Sequence, residues 1–597
     1  MAASLESKLL GLPDELLRAV LDHIGPLSLA SVQSTCRRLN AVGADPGLWE
    51  HACLTFFTWW DKHHDLENKR KDPSFKGWKQ LFADRWASSQ RTDRALSDLI
   101  ARETNRLDRV ADILNAGYDA KDVLSSAFYN SANTGMHLAQ RYWSHAALGH
   151  LHRYMACEEW AYLKHRPETP NATERSFAAL DMFVLGERRE GDIDDIFAML
   201  DSYAASIRDA NPAIDSFTPR QKAITIAAHL LEHNWTGISD SRNYHSLDHM
   251  FLGVALFSSN RNSVPLISAI IYCYVVRQFS LEAQPISYPF HVHALVTLPS
   301  GATTDFDGQP LPSTTEPFSE HTHLYMDPFN TSDPIPASHL TSQLRFIAPT
   351  STPNQINSYL SPASPRDLTI RAAHNILAAP SHYAGPPLFP IDINAAAFGA
   401  LLALILIPPA PHPAQIQHHL SVVAQHFAFH FDHDVRLFMH HVLPAASSIP
   451  NAQAYATLVE RLHARDATPK TPKRRDAPEN SPVKYAVGQV FRHRIRSYLA
   501  VVYGWDGWCR MDEQWIVQNS VDRLARGRAQ PFYNVLAEDE STRYVAEENV
   551  MLLTKEELAE LGLVYDRFPM EIGLWFRRYD AEAGRFVSNV REEYPDD

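Results

Sequence analysis

The chain has 597 residues, 45% hydrophobic and 21% charged, which excludes wholesale disorder and leaves room for about four domains, each able to bury a core. Lys+Arg 55 against Asp+Glu 69 gives a net charge of −14, which excludes the molecule as a whole as an electrostatic wrapper of nucleic acid or anionic membrane, though not a local basic face. The five cysteines, Cys36, Cys53, Cys157, Cys273 and Cys509, are odd in number and lack any C-x-x-C spacing, so reduced thiols are expected rather than a disulfide framework.

The opening residues Met1-Ala2-Ala3-Ser4-Leu5-Glu6 carry neither a basic n-region nor a long apolar stretch, so no secretory signal is expected and the chain is placed in the cytoplasm, the nucleus or both. From residue 9 to about 85 apolar side chains recur at three- and four-residue steps, broken at Gly25-Pro26 and Asp45-Pro46. This pattern predicts several short helices packed on one another. Helical spacing continues to about 230, with Leu107, Val110, Ile113 and Leu114 on one face and Ile196, Leu200, Tyr203 and Ile207 on another. A helix is predicted over 264–279 and a strand over 285–298, so a mixed α+β segment begins there. The Pro-, Ser- and Thr-rich stretches 299–320 and 348–365 read as surface insertions, and 365–465 returns to helix. Within it the apolar run 395–407 is 13 residues long, short of the roughly 20 that cross a bilayer, and reads as a buried helix.

Residues 466–482 hold four prolines and almost no large apolar side chain, so burial cannot offset the entropy of ordering them and the main linker is placed there. Its Lys470, Lys473, Arg474 and Arg475 fit a nuclear import signal or, as composition favours, a solvated charge run. Beyond it, strand-like runs at 498–503 and 532–537, separated by Gly504-Trp505-Asp506-Gly507 and Glu538-Asp539-Glu540-Ser541, predict a small all-β, barrel-like domain. No internal repeat of fixed period is evident.

The N-terminal helices carry the first family pattern. Leu12-Pro13-Asp14-Glu15-Leu16-Leu17 places proline in a first helical turn and carboxylates at its positive end; Val20, Ile24, Leu27, Leu29, Val32, Leu39 and Trp49 follow in order. Over residues 8–55 this resembles the F-box family, with Phe75-Lys76-Gly77-Trp78 downstream as in many members. The resemblance implies docking on the Skp-type adaptor of a cullin-RING ubiquitin ligase through Leu12, Pro13, Leu16, Leu17, Val20, Ile24, Leu27, Leu29, Val32, Leu39 and Trp49. A module this small cannot cover so many leucines by itself, and an uncovered apolar patch marks a partner site. Full burial of Pro13, Leu16 and Leu17 would instead make these residues internal packing.

The middle carries Arg242-Asn243-Tyr244-His245-Ser246-Leu247-Asp248-His249, Asn262-Ser263-Val264-Pro265-Leu266, Tyr288-Pro289-Phe290-His291, Tyr325-Met326-Asp327-Pro328-Phe329 and Leu360-Ser361-Pro362-Ala363-Ser364-Pro365-Arg366-Asp367-Leu368. In this order, over about 185–380, it is similar to a bacterial transglutaminase-like family. Active members of that superfamily set a cysteine at a helix N-terminus beside a histidine base oriented by an aspartate. The resemblance puts His291 and Asp327 at base and orienter. The helix near Ser263-Val264-Pro265 carries no cysteine at its start, and Cys273 lies about ten residues further on, roughly 15 Å at 1.5 Å per residue. The expectation is therefore a vestigial, non-catalytic site, with Cys273 a core thiol and Ser263 a weak substitute nucleophile. Phe290 stands where the family usually has glycine.

The histidines His412, His418, His419, His426, His430, His433, His440 and His441 crowd one stretch, with His426, His430 and His433 at i, i+4, i+7. Without H-E-x-x-H or a cysteine partner they are read as solvated or core residues, and neither metal nor cofactor is assigned.

The C-terminal string Asp522-Arg523-Leu524-Ala525-Arg526-Gly527-Arg528-Ala529-Gln530-Pro531-Phe532-Tyr533, with Ser541-Thr542-Arg543-Tyr544-Val545 after it and Val487-Gly488-Gln489-Val490 before it, closely resembles the YccV-like, or hemimethylated-DNA-binding, domain over 483–555. Residues 484–554 balance nine basic against nine acidic side chains, unlike a phosphate binder. A basic edge remains conceivable, with Arg492, Arg494 and Arg496 alternating along one strand and Trp505, Trp508 or Trp515 stacking on bases. The bland reading is that Arg526 and Arg528 brace the domain against Glu547, Glu548 or Asp522, leaving Arg492, Arg494, Arg496, Trp505, Arg526, Arg528 and Arg543 as DNA- or peptide-binding candidates.

The whole is read as a multidomain α+β protein: F-box at 8–55, a helical and transglutaminase-like region at 90–380, a helical extension at 381–465, the linker at 466–482, the YccV-like domain at 483–555 and a tail at 556–597. The combination resembles F-box-only proteins. It implies a substrate-recognition subunit of an SCF-type ubiquitin ligase, not itself an enzyme, whose partners are the adaptor, the cullin and an unknown protein substrate, with no membrane. The alternatives are a DNA- or chromatin-binding protein acting through the β domain, and a thiol or serine hydrolase using Cys273 or Ser263.

Overall fold

The computed structural model describes residues 9–131, 135–185, 191–311, 319, 321–383, 385, 387–408, 413–447, 449–450 and 452–597. The chain forms two compact bodies, one of residues up to Leu151 together with Leu462–Asp597, the other of His152–Arg461.

In the first body, four short helices, α1 (Asp14–Asp22), α2 (Pro26–Gln33), α3 (Arg37–Gly43) and α4 (Pro46–Phe56), are followed by the long α5 (Trp78–Ala101). Their starts follow the local sequence: Pro occupies the first turn of α2 and α4, and Asp45 caps α4 by accepting from Gly47 N at 2.8 Å. Leu21, Leu29, Leu48, Trp49, Cys53 and Phe57 pack on Trp78, Leu81 and Phe82 of α5. Arg85 of α5 is fully buried, 2.5 Å from Asp122 and 3.1 Å from Asp119, with its guanidinium over the Phe57 ring. The face Leu107, Val110, Ile113 and Leu114 is buried as the spacing predicts.

The second body holds α6 (Ile193–Ala210), whose Ile196, Leu200, Tyr203 and Ile207 are buried, and α7 (Pro219–Glu232). The apolar α8 (Pro265–Arg277) has no exposed residue before Arg277. An antiparallel sheet in the order β1 (Glu282–Pro285), β2 (Ala294–Thr297), β3 (His323–Met326), β4 (Pro334–Ile335) follows. The single strand expected over 285–298 is thus two strands and a turn, because Phe290 turns left-handed at φ +64°. Next come α9 (Pro365–His382) and the buried α10 (Ile393–Leu406). Among the described residues no helix is long and apolar enough to cross a membrane.

The chain then returns to the first body. Asn105 N donates to Asp466 O at 3.1 Å and Leu107 N to the Asp466 carboxylate at 3.0 Å, so residues 90–151 group with the C-terminal part and not, as chain order suggested, with the region up to 380. The sheet order is β8 (Thr542–Ala546), β7 (Phe532–Ala537), β6 (Leu499–Asp506), β5 (Val490–His493), β9 (Val550–Leu552), all antiparallel. A hairpin of β10 (Phe576–Asp580) and β11 (Arg585–Ser588) joins this core, since Phe576, Phe586, Val590 and Tyr594 pack with Phe491, Val501, Trp505 and Tyr533. Residues 556–597 are therefore part of the domain, not a tail. Gly488, at φ +92°, donates to Val502 O and accepts from Phe586 N, and a Cβ there would strike Phe586 O; the sheet and hairpin can meet only over glycine.

The expected free linker is also tied down. Lys473 Nζ lies 3.0 Å from Asp506, 2.9 Å from Glu593 and 3.1 Å from the Tyr594 hydroxyl, and Arg475 pairs with Asp597 at 2.6 Å. Lys473 and Arg475 are thus partnered by the folded domain, whereas Lys470 and Arg474 are exposed.

Candidate functional site

The N-terminal helices divide the proposed adaptor-binding residues by face. Leu17, Leu29, Leu39 and Trp49 are buried, Leu12, Ile24 and Val32 are half-buried, and Pro13, Leu16, Val20 and Leu27 are exposed. Leu16 (53% exposed) and Val20 (43%) stand one turn apart on α1, opposite the core residues Leu17 and Leu21. The loop before α1 is pinned: Arg38 donates to Leu12 O at 2.6 Å, to Asp14 at 2.8 Å and to Leu10 O. Pro13, Leu16, Val20 and Leu27 thus face outward, while Leu17, Leu29, Leu39 and Trp49 are buried.

In the middle body the loop at Phe290 and the end of β3 bring His291 and Asp327 together, with His291 Nε2 2.9 Å from Asp327 Oδ1. Asp327 also accepts from Asn330 Nδ2 at 2.8 Å. Burial pushes its carboxyl up, but the hydrogen bond and charge of His291 outweigh this and hold it below the usual carboxylate range. His293, missed in the sequence although its H-x-H spacing to His291 is a signal, is 5% exposed with Nδ1 unpartnered among the described residues. Burial and the neighbouring His291 push it down to about 4. The dyad opens on a cavity of about 820 Å³ lined by Tyr288, Phe290, His291, His293 and His339. A second, of about 390 Å³, meets the start of α8 at Val264 and Pro265 and shares Phe290.

No thiol faces either cavity. Cys273 is fully buried within α8, where burial raises its pKa well above the ordinary thiol value, and Ser263 is fully buried with its hydroxyl 2.7 Å from Ser268 Oγ. His291 and Asp327 are brought together, but the α8 start offers neither cysteine nor an exposed serine.

Among the described residues, two groups bring three potential metal-ligand atoms within 4.8 Å: His291, His293 and Asp327, and His63, His64 and Asp119. In the second, Asp119 already faces the buried Arg85 cation. In the histidine-rich stretch His433 pairs with Asp432, His441 with Glu158 and His440 with the Tyr154 hydroxyl, while His426 lies beside His430 with its Nδ1 unpartnered among the described residues; His412 lies outside the described residues.

The β domain redistributes its arginines. β5 ends at His493, so Arg494 and Arg496 sit in the turn with Ser497 at φ +59°, and Arg492 donates to Ser497 O. The shared strand face expected for the three therefore does not form. Trp505 is 1% exposed with its indole N–H on Asp597; it is core, not a stacking platform. Trp508 is exposed but covered by Arg510, whose guanidinium carbon lies 3.6 Å from the ring centroid. Arg526 binds Glu547 at 2.7 Å, Arg528 binds Glu513 and Asp522 at 2.6 Å each, and Arg543 binds Asp539 while lying over Tyr498.

Residues 9–55 match the F-box-like family model, 194–374 the transglutaminase-like superfamily and 483–583 the model described as hemimethylated DNA-binding protein YccV-like. The chain is thus a multidomain α+β protein carrying F-box-like, transglutaminase-like and YccV-like segments in that order. Its relatives include F-box only protein 21 of Mus musculus, 45% identical over 78 residues, and those of Pongo abelii and Homo sapiens, each 44% identical over 78 residues. These matches cover 13% of this chain and 12 to 13% of the relatives, about an eighth of their length. No solved structure matches the chain.

Proposed function

We propose that this protein is the substrate-recognition subunit of an SCF-type ubiquitin ligase, working in the cytoplasm or nucleus. The exposed apolar side chains Leu16, Val20 and Leu27 within the F-box-like segment carry the reading, because exposed leucines and valine on a module with its own filled core mark a partner surface. A Skp-type adaptor covers it and links to the cullin; the middle and C-terminal domains capture a protein substrate. The subunit forms no bonds itself. It raises the effective concentration of substrate lysines near the charged conjugating enzyme. The His291–Asp327 dyad is a remnant in a binding scaffold, in keeping with a helix start that has no thiol. The test is co-expression with the adaptor and cullin: retention of both on the tagged full chain supports the reading, and absence of the adaptor overturns it.

The YccV-like match favours a second reading, DNA binding by the β domain. Against it, Arg526, Arg528 and Arg543 are neutralised by carboxylates. Duplex binding whose affinity falls steeply with salt would establish it.

A further inference from the structure

The strand β8 is outermost in the five-stranded sheet and pairs only with β7. Ala537 N donates to Ser541 O and Glu547 N to Pro531 O, each at 2.9 Å, and with Val535 opposite Arg543 and Tyr533 opposite Val545 this sets the phase of the ladder. Ser541, Arg543, Val545 and Glu547 face β7. The antiparallel alternation then turns the N–H and C=O of Thr542 and Tyr544 away from it, and neither residue's main chain has a partner among the described residues. Open edges are commonly blunted by an outward charge, a proline or a bulge. Here the strand's only charge, Arg543, is folded back onto Asp539 and Tyr498. The opposite edge, β9, is only three residues long.

A cavity of about 700 Å³ lies beside β8 on the face it shares with β7 and β6, lined there by Tyr503, Phe532, Asn534, Thr542 and Tyr544. Ile495, Arg496 and Tyr498 line it together with Met511, Trp515 and Leu524, and no aspartate or glutamate does. Ile495 is 72% exposed, an apolar side chain with no cover. Arg496 is exposed and its guanidinium has no partner among the described residues. Burial first, then the charges of Arg496 and Arg543, push the His493 imidazole below its ordinary pKa; of these two cations Arg543 is paired with Asp539, which leaves Arg496 as the charge that a docked segment meets.

We infer that the β8 edge and the cavity beside it dock an extended, acidic segment of a partner protein, which adds to the sheet as a further strand. The free groups of Thr542 and Tyr544 alternate donor and acceptor at strand spacing, so they are complementary to another main chain. A phosphodiester backbone could take the N–H groups but would face the carbonyl oxygens with no donor to offer. Arg496 and the lack of carboxylates select acidic side chains; Ile495, Met511 and Trp515 receive apolar ones between them. This rests on the substrate-capture role proposed above for the C-terminal domain and gives its ligand a chemical class.

The test is fluorescence anisotropy of the full chain with a labelled peptide alternating Glu or Asp with Val. Companion probes are the same peptide N-methylated at alternate amides, its Lys-for-acid counterpart, and a labelled hemimethylated DNA duplex. Saturable binding of the acidic peptide is expected, weakened about tenfold or more by N-methylation, by the Lys exchange and by Arg496→Glu. Thr542→Pro should also weaken it with the thermal midpoint unchanged, since an edge strand tolerates proline where the N–H faces solvent. Equal binding of the N-methylated peptide, indifference to Arg496→Glu, absence of peptide binding, or tighter binding of the duplex with the same Arg496 dependence overturns the inference, the last making the cavity a nucleic-acid surface. The adaptor pull-down is independent: peptide binding without adaptor retention removes the ligase reading alone, and adaptor retention without peptide binding removes this inference alone.

Discussion

The proposed adaptor surface can be tested by exchanging Leu16 and Val20 together for aspartate. Leu16 is 53% and Val20 43% exposed in the free chain, so about half of each side chain remains to be covered by a partner. Full burial of such a side chain is worth roughly 1.5–3 kcal/mol, so the half left over contributes about 1 kcal/mol at each position. Aspartate forfeits that and also sets a carboxylate into apolar contact, which costs roughly 1–3 kcal/mol or more. A total loss of about 3 kcal/mol or more weakens adaptor binding over a hundredfold, enough to empty a pull-down. The fold should lose little, because neither side chain belongs to the cluster around Leu21, Leu29 and Trp49. The control is Leu17→Asp, which forces a charge into a fully buried position and should abolish folding of the module. The assay is co-expression with adaptor and cullin, paired with a circular dichroism melt of each variant. Adaptor retention by a normally folded Leu16→Asp, Val20→Asp chain would refute the reasoning.

Three further outcomes are expected. Arg85→Met leaves Asp119 and Asp122 without their buried cation and should cost about 3–5 kcal/mol in urea unfolding, whereas a change under 1 kcal/mol would show that the pair is dispensable. Iodoacetamide on the native chain should modify Cys36, the half-exposed thiol, first, while Cys53, Cys157, Cys273 and Cys509 are buried with raised pKa values; rapid native alkylation of Cys273 detected by peptide mass would revive the hydrolase alternative. His293 is held near 4 by burial, below its ordinary 6.5, so between these values the unfolded chain binds the extra proton. Its contribution is full above pH 6.5 and is lost as pH falls toward 4, by roughly 3 kcal/mol. Denaturant midpoints across that window should fall in the wild type and fall less in His293→Phe; parallel curves would contradict this origin.

Element type was legible wherever the cause was local. Proline in the first turn and Asp45 at the cap set the N-terminal helices, the 3.6-residue spacing marked the buried faces of 107–114 and 196–207, and the motif strings kept their order. The F-box resemblance puts Leu16 and Leu17 together on the adaptor surface, and the structure separates them, Leu17 buried and Leu16 exposed. Local spacing could not tell which of the two faces inward, because that depends on Trp78 and Phe82 arriving from α5.

What the sequence by itself determined is the succession of an F-box-like helical module, a transglutaminase-like scaffold with His291 and Asp327 but no thiol at the α8 start, and a YccV-like sheet, since each rests on residues close together in the chain. What only the tertiary structure decided are the long-range partners. Residues 466–482 read as free because composition counts apolar side chains, whereas Lys473 and Arg475 are ordered by Glu593 and Asp597, about 120 residues away. By sequence Trp505 reads as a stacking platform, and only its burial, with the indole N–H on Asp597, makes it core. The alternation of Arg492, Arg494 and Arg496 fails as a face because the strand ends at His493. The open edge of β8 is a property of strand order, set by which strand β7 pairs with on each side and written in no single segment.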